Sequence, residues 1–518
     1  MTAQNTATVA AFACGIMLWI GSSAAQADTD TGSEMASRPE LVRLFNAARQ
    51  LREPNIVNGI ADYSAAAVAH QMRSLARLRA EFDRLDPLQW PVRDQVDYLL
   101  VRSELDTLHY GLRVYRATSR SPNFYLSSIS SFGLSSGATL SRLGQLVSQP
   151  PPFDDERAGQ ILQHIRDVPR ILQQAKRNLT EPTREMSRWA LPTLAHAREN
   201  TRRFATALAQ EFPPAQVENL LQATDAMGDA LEDYRAWIEE RLPTMSSAKP
   251  IGRDMYDWIL RRIWLLPYDA DDVLRTAEQE LSRYVTFTAL EEARNDGLAN
   301  PARAATTAEY AERTHADVAR IRRFLTEKKA LTIPDYIGPY RRTLMPAYMQ
   351  AIPLWAGLSG YRTPGNGVTK YSVAEDHPYT LTYWESIMRV DPSTNIFHDG
   401  IPGHHFQGVV SARHPSPIRS LRRDRFKSEG WATYWEEAAL QLGFYDDRPR
   451  SREMIYNYLR LRAMRVIVDV KMALGDMSAE QGIAMLMSVP MDRRIASEEV
   501  DDFNAAPTGG IVYQIGKS

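Results

Sequence analysis

Residues 65–85 read AAAVAHQMRSLARLRAEFDRL, and their pattern sets the fold class. The apolar side chains Val68, Met72, Leu75, Leu78, Phe82 and Leu85 fall three and four apart, with Arg and Glu between them. At 3.6 residues per turn, that spacing lays one apolar stripe along an amphipathic helix. The pattern returns over 92–114, 155–179, 191–211, 217–241, 271–292, 308–328 and 451–474. Prolines at 150–152, 213–214, 334 and 339 punctuate these segments, and alternating β-branched runs are scarce. No Gly/Ser-rich linker divides the chain, so the sequence predicts one large, mainly α-helical unit. Between Pro346 and Phe397 the helical period fades, and 361–383, rich in Gly, Thr, Val and Tyr, is expected to hold a small β element.

The 518 residues include 44% hydrophobic and 24% charged side chains, a balance that excludes a disordered or collagen-like chain. Lys and Arg number 61 against 63 Asp and Glu, without the basic excess of a dedicated nucleic-acid binder. The single cysteine, Cys14, excludes an internal disulfide and a Cys-rich zinc module, so any metal must be held by His, Asp and Glu. Val9 to Ile20 is an apolar run followed by small residues and Ala25-Gln26-Ala27. Twelve residues are too few to span a bilayer, and a short apolar core before an A-x-A site reads as a cleavable secretory signal over 1–27. Cleavage there leaves a single mature domain, 28–518, with no thiol and no stable membrane span, exported and expected in the periplasm.

Only 10 histidines occur, and three fall within the eight residues His398-Asp399-Gly400-Ile401-Pro402-Gly403-His404-His405. Glu429 follows His405 by 24 residues, inside Ser428-Glu429-Gly430-Trp431-Ala432-Thr433-Tyr434. Two imidazoles and one carboxylate suit zinc and leave a fourth position for water. An acid just after the first histidine, Asp399, can take the proton of that water, as Glu does in H-E-x-x-H. On an unbroken helix, the six- or seven-residue spacing from His398 to His404 or His405 would separate the ligands by about 9 to 10.5 Å along the axis. Gly400, Pro402 and Gly403 disrupt a regular helix, so a break there is expected to bring His398 and either His404 or His405 to one ion. Tyr513 is a candidate donor to the oxyanion formed when water attacks a carbonyl. Tyr371, Tyr383, Trp384, Trp431, Tyr434 and Trp435 serve either a substrate groove or core packing. The basic run 419–425 reads as a solvated face or as an attractor of a substrate carboxylate.

At these residues the sequence resembles the bacterial domain-of-unknown-function family 885. Its hallmark, His-Glu-x-x-Pro-Gly-His-His-x-Gln followed by Ser-Glu-Gly-Trp-Ala-x-Tyr, is matched by His398 to Gln407 and Ser428 to Tyr434. Leu265 to Asp272, Leu442 to Tyr445, Arg465 to Asp469 and Pro507 to Gly516 are also similar. The resemblance implies a large helical metallopeptidase-like fold, akin to the thimet oligopeptidase and neurolysin, angiotensin-converting enzyme and thermostable carboxypeptidase group. It also implies one zinc ion with Glu429 as third ligand, and a peptide or small amide substrate. Several positions depart from the family pattern: Asp399 stands for Glu, Ala473 for a frequent His, and Asp502-Phe503 for Arg-Tyr. Pro507-Thr508-Gly509-Gly510 replaces Pro-Gly-Gln-Ala, Tyr513 keeps its place, and the chain stops at Ser518 where relatives run on. Asp is one methylene shorter than Glu, and misplacement of about 1 Å can cost roughly a hundredfold in rate. Two expectations follow: an exported zinc-dependent peptidase or amide hydrolase, or a weakened homologue that binds metal or peptide or serves another reaction.

Overall fold

Hydrophobic periodicity, capped by short polar residues, produces a chain of helices. The computed structural model describes residues 37–126, 139–351, 360–372 and 387–518. The expected signal segment, Tyr383 and Trp384 lie outside these residues. Residues 37–518 form one compact unit. The N-terminal half comprises α1 (Pro39–Arg52), β1 (Asn55–Val57), β2 (Ile60–Asp62), α2 (Ala65–Phe82), α3 (Val92–Tyr110), α4 (Thr139–Ser148), α5 (Asp155–Asn178), α6 (Arg184–Leu194), α7 (Ala197–Leu208) and α8 (Val217–Arg241). Then follow α9 (Arg253–Arg262), α10 (Ala270–Arg294), α11 (Thr307–Glu327), β3 (Tyr340–Leu344), β4 (Gly360–Thr363) and β5 (Gly367–Ser372). The last part holds α12 (Pro392–Asp399), α13 (His404–Ala412), α14 (Arg425–Gln441), α15 (Pro449–Leu474), α16 (Ala479–Leu486), α17 (Arg493–Ala505) and a C-terminal turn, Gln514–Lys517.

The mainly helical class is as expected. One segment differs: 191–211 is not a single helix but the end of α6 and all of α7. Pro192 has no N–H to donate, and His196 takes a left-handed φ of 56°, which breaks the spiral. The small β element exists as a three-stranded sheet in the order β3-β5-β4, with β3 parallel and β4 antiparallel to β5.

Core and site are linked through α15. Its middle, Leu459 to Val470, is buried on almost every face apart from Arg460, as expected of a helix that runs through the interior. Helix α10 lies along it, and α14 and the C-terminal turn pack nearby. Asp391 caps α12 by accepting from Ser393 N at 2.9 Å, and Pro392 takes the first position, where its missing N–H costs nothing. The same carboxylate accepts from Arg448 at 3.0 Å and from Ser451, and Arg448 also grips Asp317 of α11 at 2.6 Å. That network fixes the start of α12 against α11 and α15, and so sets where its last turn, with His398, must lie.

A candidate metal centre at the broken helix

Helix α12 ends at Asp399 and α13 begins at His404, so the helix breaks where Gly400, Pro402 and Gly403 stand. The break is tight: a Cβ on Gly403 would lie 1.8 Å from the His398 carbonyl oxygen. Only glycine lets the two backbones approach so closely. The fold thereby places the His398 and His404 rings 4.7 Å apart between centroids.

Helix α14 supplies the third group. Asp424 caps it, accepting from Lys427 N at 3.0 Å, and Glu429 lies in its second turn. Oε2 of Glu429 lies 3.3 Å from Nε2 of His398 and 3.3 Å from Nε2 of His404. One ligand atom from each of these three residues falls within 4.8 Å of the others. His405, the alternative to His404, is placed elsewhere: its Nε2–H donates to the Gly338 carbonyl at 3.0 Å in a buried setting. One step along a helix turns a side chain by about 100°, which separates the two neighbours.

The residues beside Glu429 each hold part of this arrangement. Ser428 Oγ and His404 Nδ1 share a hydrogen bond of 3.0 Å. A Cβ on Gly430 would lie 2.2 Å from the Gly516 oxygen, so the C-terminal turn rests directly on α14. Trp431 Nε1 donates to the Pro402 carbonyl at 2.7 Å and pins the break. Trp431 also stacks near Phe406 and meets Trp435 edge-on, and Tyr371 is buried with its hydroxyl on the Ser148 carbonyl. These aromatics pack the interior.

Two residues that the sequence reading passed over complete the first histidine. His398 Nδ1 donates to Glu436 Oε1 at 2.6 Å, and Arg462 of α15 clasps the same buried carboxylate with both Nη atoms. Glu436 follows Glu429 by seven residues, two turns along one face of α14, and that spacing was a readable signal.

The electrostatics of the trio are set by its carboxylates. Glu429 Oε2 is buried and, among the described residues, makes no hydrogen bond. Burial pushes the Glu429 carboxyl up, but the two imidazoles outweigh it and hold it well below the usual range. Burial pushes His398 down, while Glu429 and Glu436, one at each ring nitrogen, outweigh that and raise it to about 9. The pocket thus balances its carboxylates with a proton on His398, which a divalent ion would displace. Two imidazole nitrogens, each backed by a partner on Nδ1, and a buried carboxylate oxygen fit a zinc ion.

Asp399 and Tyr513 lie beside this trio and outside it. Asp399 accepts from Asn395 Nδ2 at 2.9 Å and faces Lys370 Nζ of β5 at 3.9 Å. Burial pushes its carboxyl up; Lys370 and the imidazoles of His398 and His404 outweigh this and hold it at about 2. The Tyr513 ring lies 6.4 Å from that of His398, near-parallel at 24°. Burial and the Glu429 carboxylate push its phenol up to about 12. Asp469 holds the segment before Tyr513, accepting from Thr508 N at 2.9 Å, Gly510 N at 2.7 Å and Tyr256 Oη at 3.1 Å. The basic run is no free patch: Arg419 donates to Asp97 at 2.7 Å and Arg422 to Ser103 Oγ at 2.9 Å, fastening it to α3.

Comparison with known proteins agrees on the fold and is silent on the chemistry. A structure described as "a putative lipoprotein of unknown function" from Shewanella oneidensis is similar with a TM-score of 0.65 at 15% identity, over 92% of this chain and 90% of that one. A second, described as "the putative lipoprotein" from Colwellia psychrerythraea, gives 0.67 at 14% identity, over 93% and 92%. No curated protein matches. The family model described as bacterial protein of unknown function matches residues 55–518, a span that includes the broken helix, Glu429 and the C-terminal turn. The chain therefore belongs to that family, DUF885.

Proposed function

We propose that this protein is an exported, zinc-dependent hydrolase of peptide or other amide bonds, with a metallopeptidase-like helical fold. The observation that carries the reading is the meeting of His398 Nε2, His404 Nε2 and a buried Glu429 Oε2 that has no hydrogen bond among the described residues. Zinc, when bound, supplies Lewis acidity and brings the pKa of a water molecule to about 7. The chain's own residues do the rest. Glu436 and Arg462 hold the His398 ring with Nδ1 protonated and Nε2 directed at the site. Ser428 orients His404. Asp399, ionised across the neutral range, receives the proton of the attacking water on its carboxylate. Tyr513 keeps its phenolic proton and donates it as a hydrogen bond to the oxyanion of the attacked carbonyl. The A-x-A segment and the lipoprotein descriptions of the two similar structures support export. Among the described residues no helix is long and apolar enough to cross a membrane.

One observation favours a second reading, a metal- or peptide-binding protein without turnover. Asp399 is already engaged by Asn395 and Lys370, and its low proton affinity makes it a weak base. Purified protein, loaded with zinc and offered a mixed peptide library with and without a chelator, separates the two. The hydrolase reading predicts chelator-sensitive cleavage that Asp399→Asn lowers by at least tenfold. Stoichiometric zinc with no cleavage of any peptide contradicts it and supports the binder.

A further inference from the structure

Tyr513 has a second neighbour besides His398. It lines a cavity of about 260 Å³ together with Arg465, Asp502, Phe503 and Gly509, rimmed by Glu498 and Glu499. The Tyr513 ring, part of the cavity wall, lies 6.4 Å from the His398 ring of the candidate metal centre. The volume is below the roughly 300 to 1,000 Å³ of pockets that take whole small ligands, and it equals about nine water molecules at ~30 Å³ each. It is sized for one side chain.

The charges around it are nearly all committed. Arg465 pairs with Glu499 and lies 5.2 Å from the Tyr513 ring centroid. Glu498 pairs with Arg494 at 2.7 Å. Arg425, also on the lining, has contacts of its own. Asp502 is the exception: among the described residues its carboxylate makes no hydrogen bond and no ion pair. Burial pushes this carboxyl up to about 6, with Arg425 opposing, so it is ionised at neutral pH. Asp502 is half-buried, and its unpaired carboxylate on the cavity wall attracts a cation that enters. The cavity itself leaves space for one, beside Gly509, where a Cβ would meet the Ala506 carbonyl oxygen at 2.9 Å and Asp502 Oδ2 at 3.8 Å. Phe503 and Ile495 give the same cavity apolar wall for an aliphatic stem.

We propose that this cavity is a substrate subsite for a cationic side chain, that of lysine or arginine, and that Asp502 selects it. The proposal rests on the hydrolase reading above and gives that reading a substrate class: peptides with a basic residue beside the bond to be cut.

Two measurements on the full-length, zinc-supplemented protein test it separately from the hydrolase reading. In the first, Nα-acetyl-arginine amide and Nα-acetyl-norleucine amide are titrated calorimetrically into wild type and Asp502→Asn. The arginine compound is expected to bind at least tenfold tighter to wild type, and the preference to vanish in the variant. Equal affinity for the two compounds, or binding of neither, overturns the subsite; so does a preference that survives in a folded Asp502→Asn. Should the variant fail to fold, the two-compound comparison on wild type decides alone. In the second, peptides differing only by arginine or norleucine at one position are tested for cleavage. Metal-dependent cleavage indifferent to that position overturns the subsite and leaves the hydrolase reading standing. A tenfold binding preference without turnover of any peptide upholds the cation site and overturns the hydrolase.

Discussion

Glu436 decides how His398 presents itself. A carboxylate can only accept, so its 2.6 Å contact fixes the proton on Nδ1, and in the neutral ring Nε2 is then the bare nitrogen. Arg462 keeps Glu436 ionised in a buried position and completes a chain from α15 to the candidate ligand. Removing such outer partners commonly lowers metal affinity by roughly 10- to 100-fold. Glu436→Gln, which preserves shape, is expected to weaken zinc binding by that factor in competition with a chromophoric chelator. The reading is taken at a temperature where circular dichroism shows the variant folded, because Arg462 is left as an unpaired buried charge. Unchanged affinity would mean that His398 is not a ligand. In the proposed hydrolase, Asp399 is the residue on which turnover, as distinct from binding, would depend, since it lies one position from His398 yet outside the trio that the fold assembles.

Helices were the most legible elements. Stripes of apolar residues three and four apart located α2, α5, α8, α10, α11 and α15 to within a few residues, because each helix buries one face or passes through the core. The break between α12 and α13 was legible from Gly400, Pro402 and Gly403. The choice between His404 and His405 was not, since it depends on the direction of α13 relative to α12, which local sequence does not encode. β3 was missed because its partner, β5, is more than twenty residues away and prolines flank it. The hairpin β1–β2 was announced by Asn58-Gly59, whose φ angles of 52° and 83° match a tight two-residue turn, and its signal was overlooked beside the long helices. Glu436 was within reach through its seven-residue spacing from Glu429.

Helix α17 carries a pH dependence. Burial raises both Asp501 and Asp502 to about 6 from an ordinary value of 3.8. A raised folded-state pKa means that the fold favours the protonated form. The corresponding stability is fully present below pH 3.8 and is lost as pH rises through 6. Asp502→Asn removes its share of that loss. Urea unfolding at pH 4 and pH 8 is expected to show the variant gaining about 2 kcal/mol on wild type between the two, at about 1.4 kcal/mol per pK unit. A constant difference across that range would show that the Asp502 carboxyl titrates alike in the folded and unfolded chain.

At the scale of the whole molecule, the site exists only because distant stretches of one chain meet. α12 and α13 bring the histidines, α14 the carboxylate, α15 the arginine behind it, and the C-terminal turn seats Tyr513 by resting Gly516 on Gly430. Asp469 joins α15 to that final segment through the N–H groups of Thr508 and Gly510, so the motifs at 465–469 and 507–516 are two halves of one contact, and Tyr256 of α9 donates to the same carboxylate. The N-terminal helices contribute a large apolar core, and the run from Arg419 to Arg422 ties it through α3 to the start of α14. Proteins of 14–15% identity share this overall fold, so the architecture persists through extensive sequence change.

The most direct test is anomalous diffraction collected on both sides of the zinc absorption edge from crystals grown with zinc. One strong difference peak per chain is predicted, enclosed by Nε2 of His398, Nε2 of His404 and the Glu429 carboxylate, and absent from Glu429→Gln crystals. A zinc-replete crystal with no peak among these three residues, or with its only peak at another site, would contradict the account.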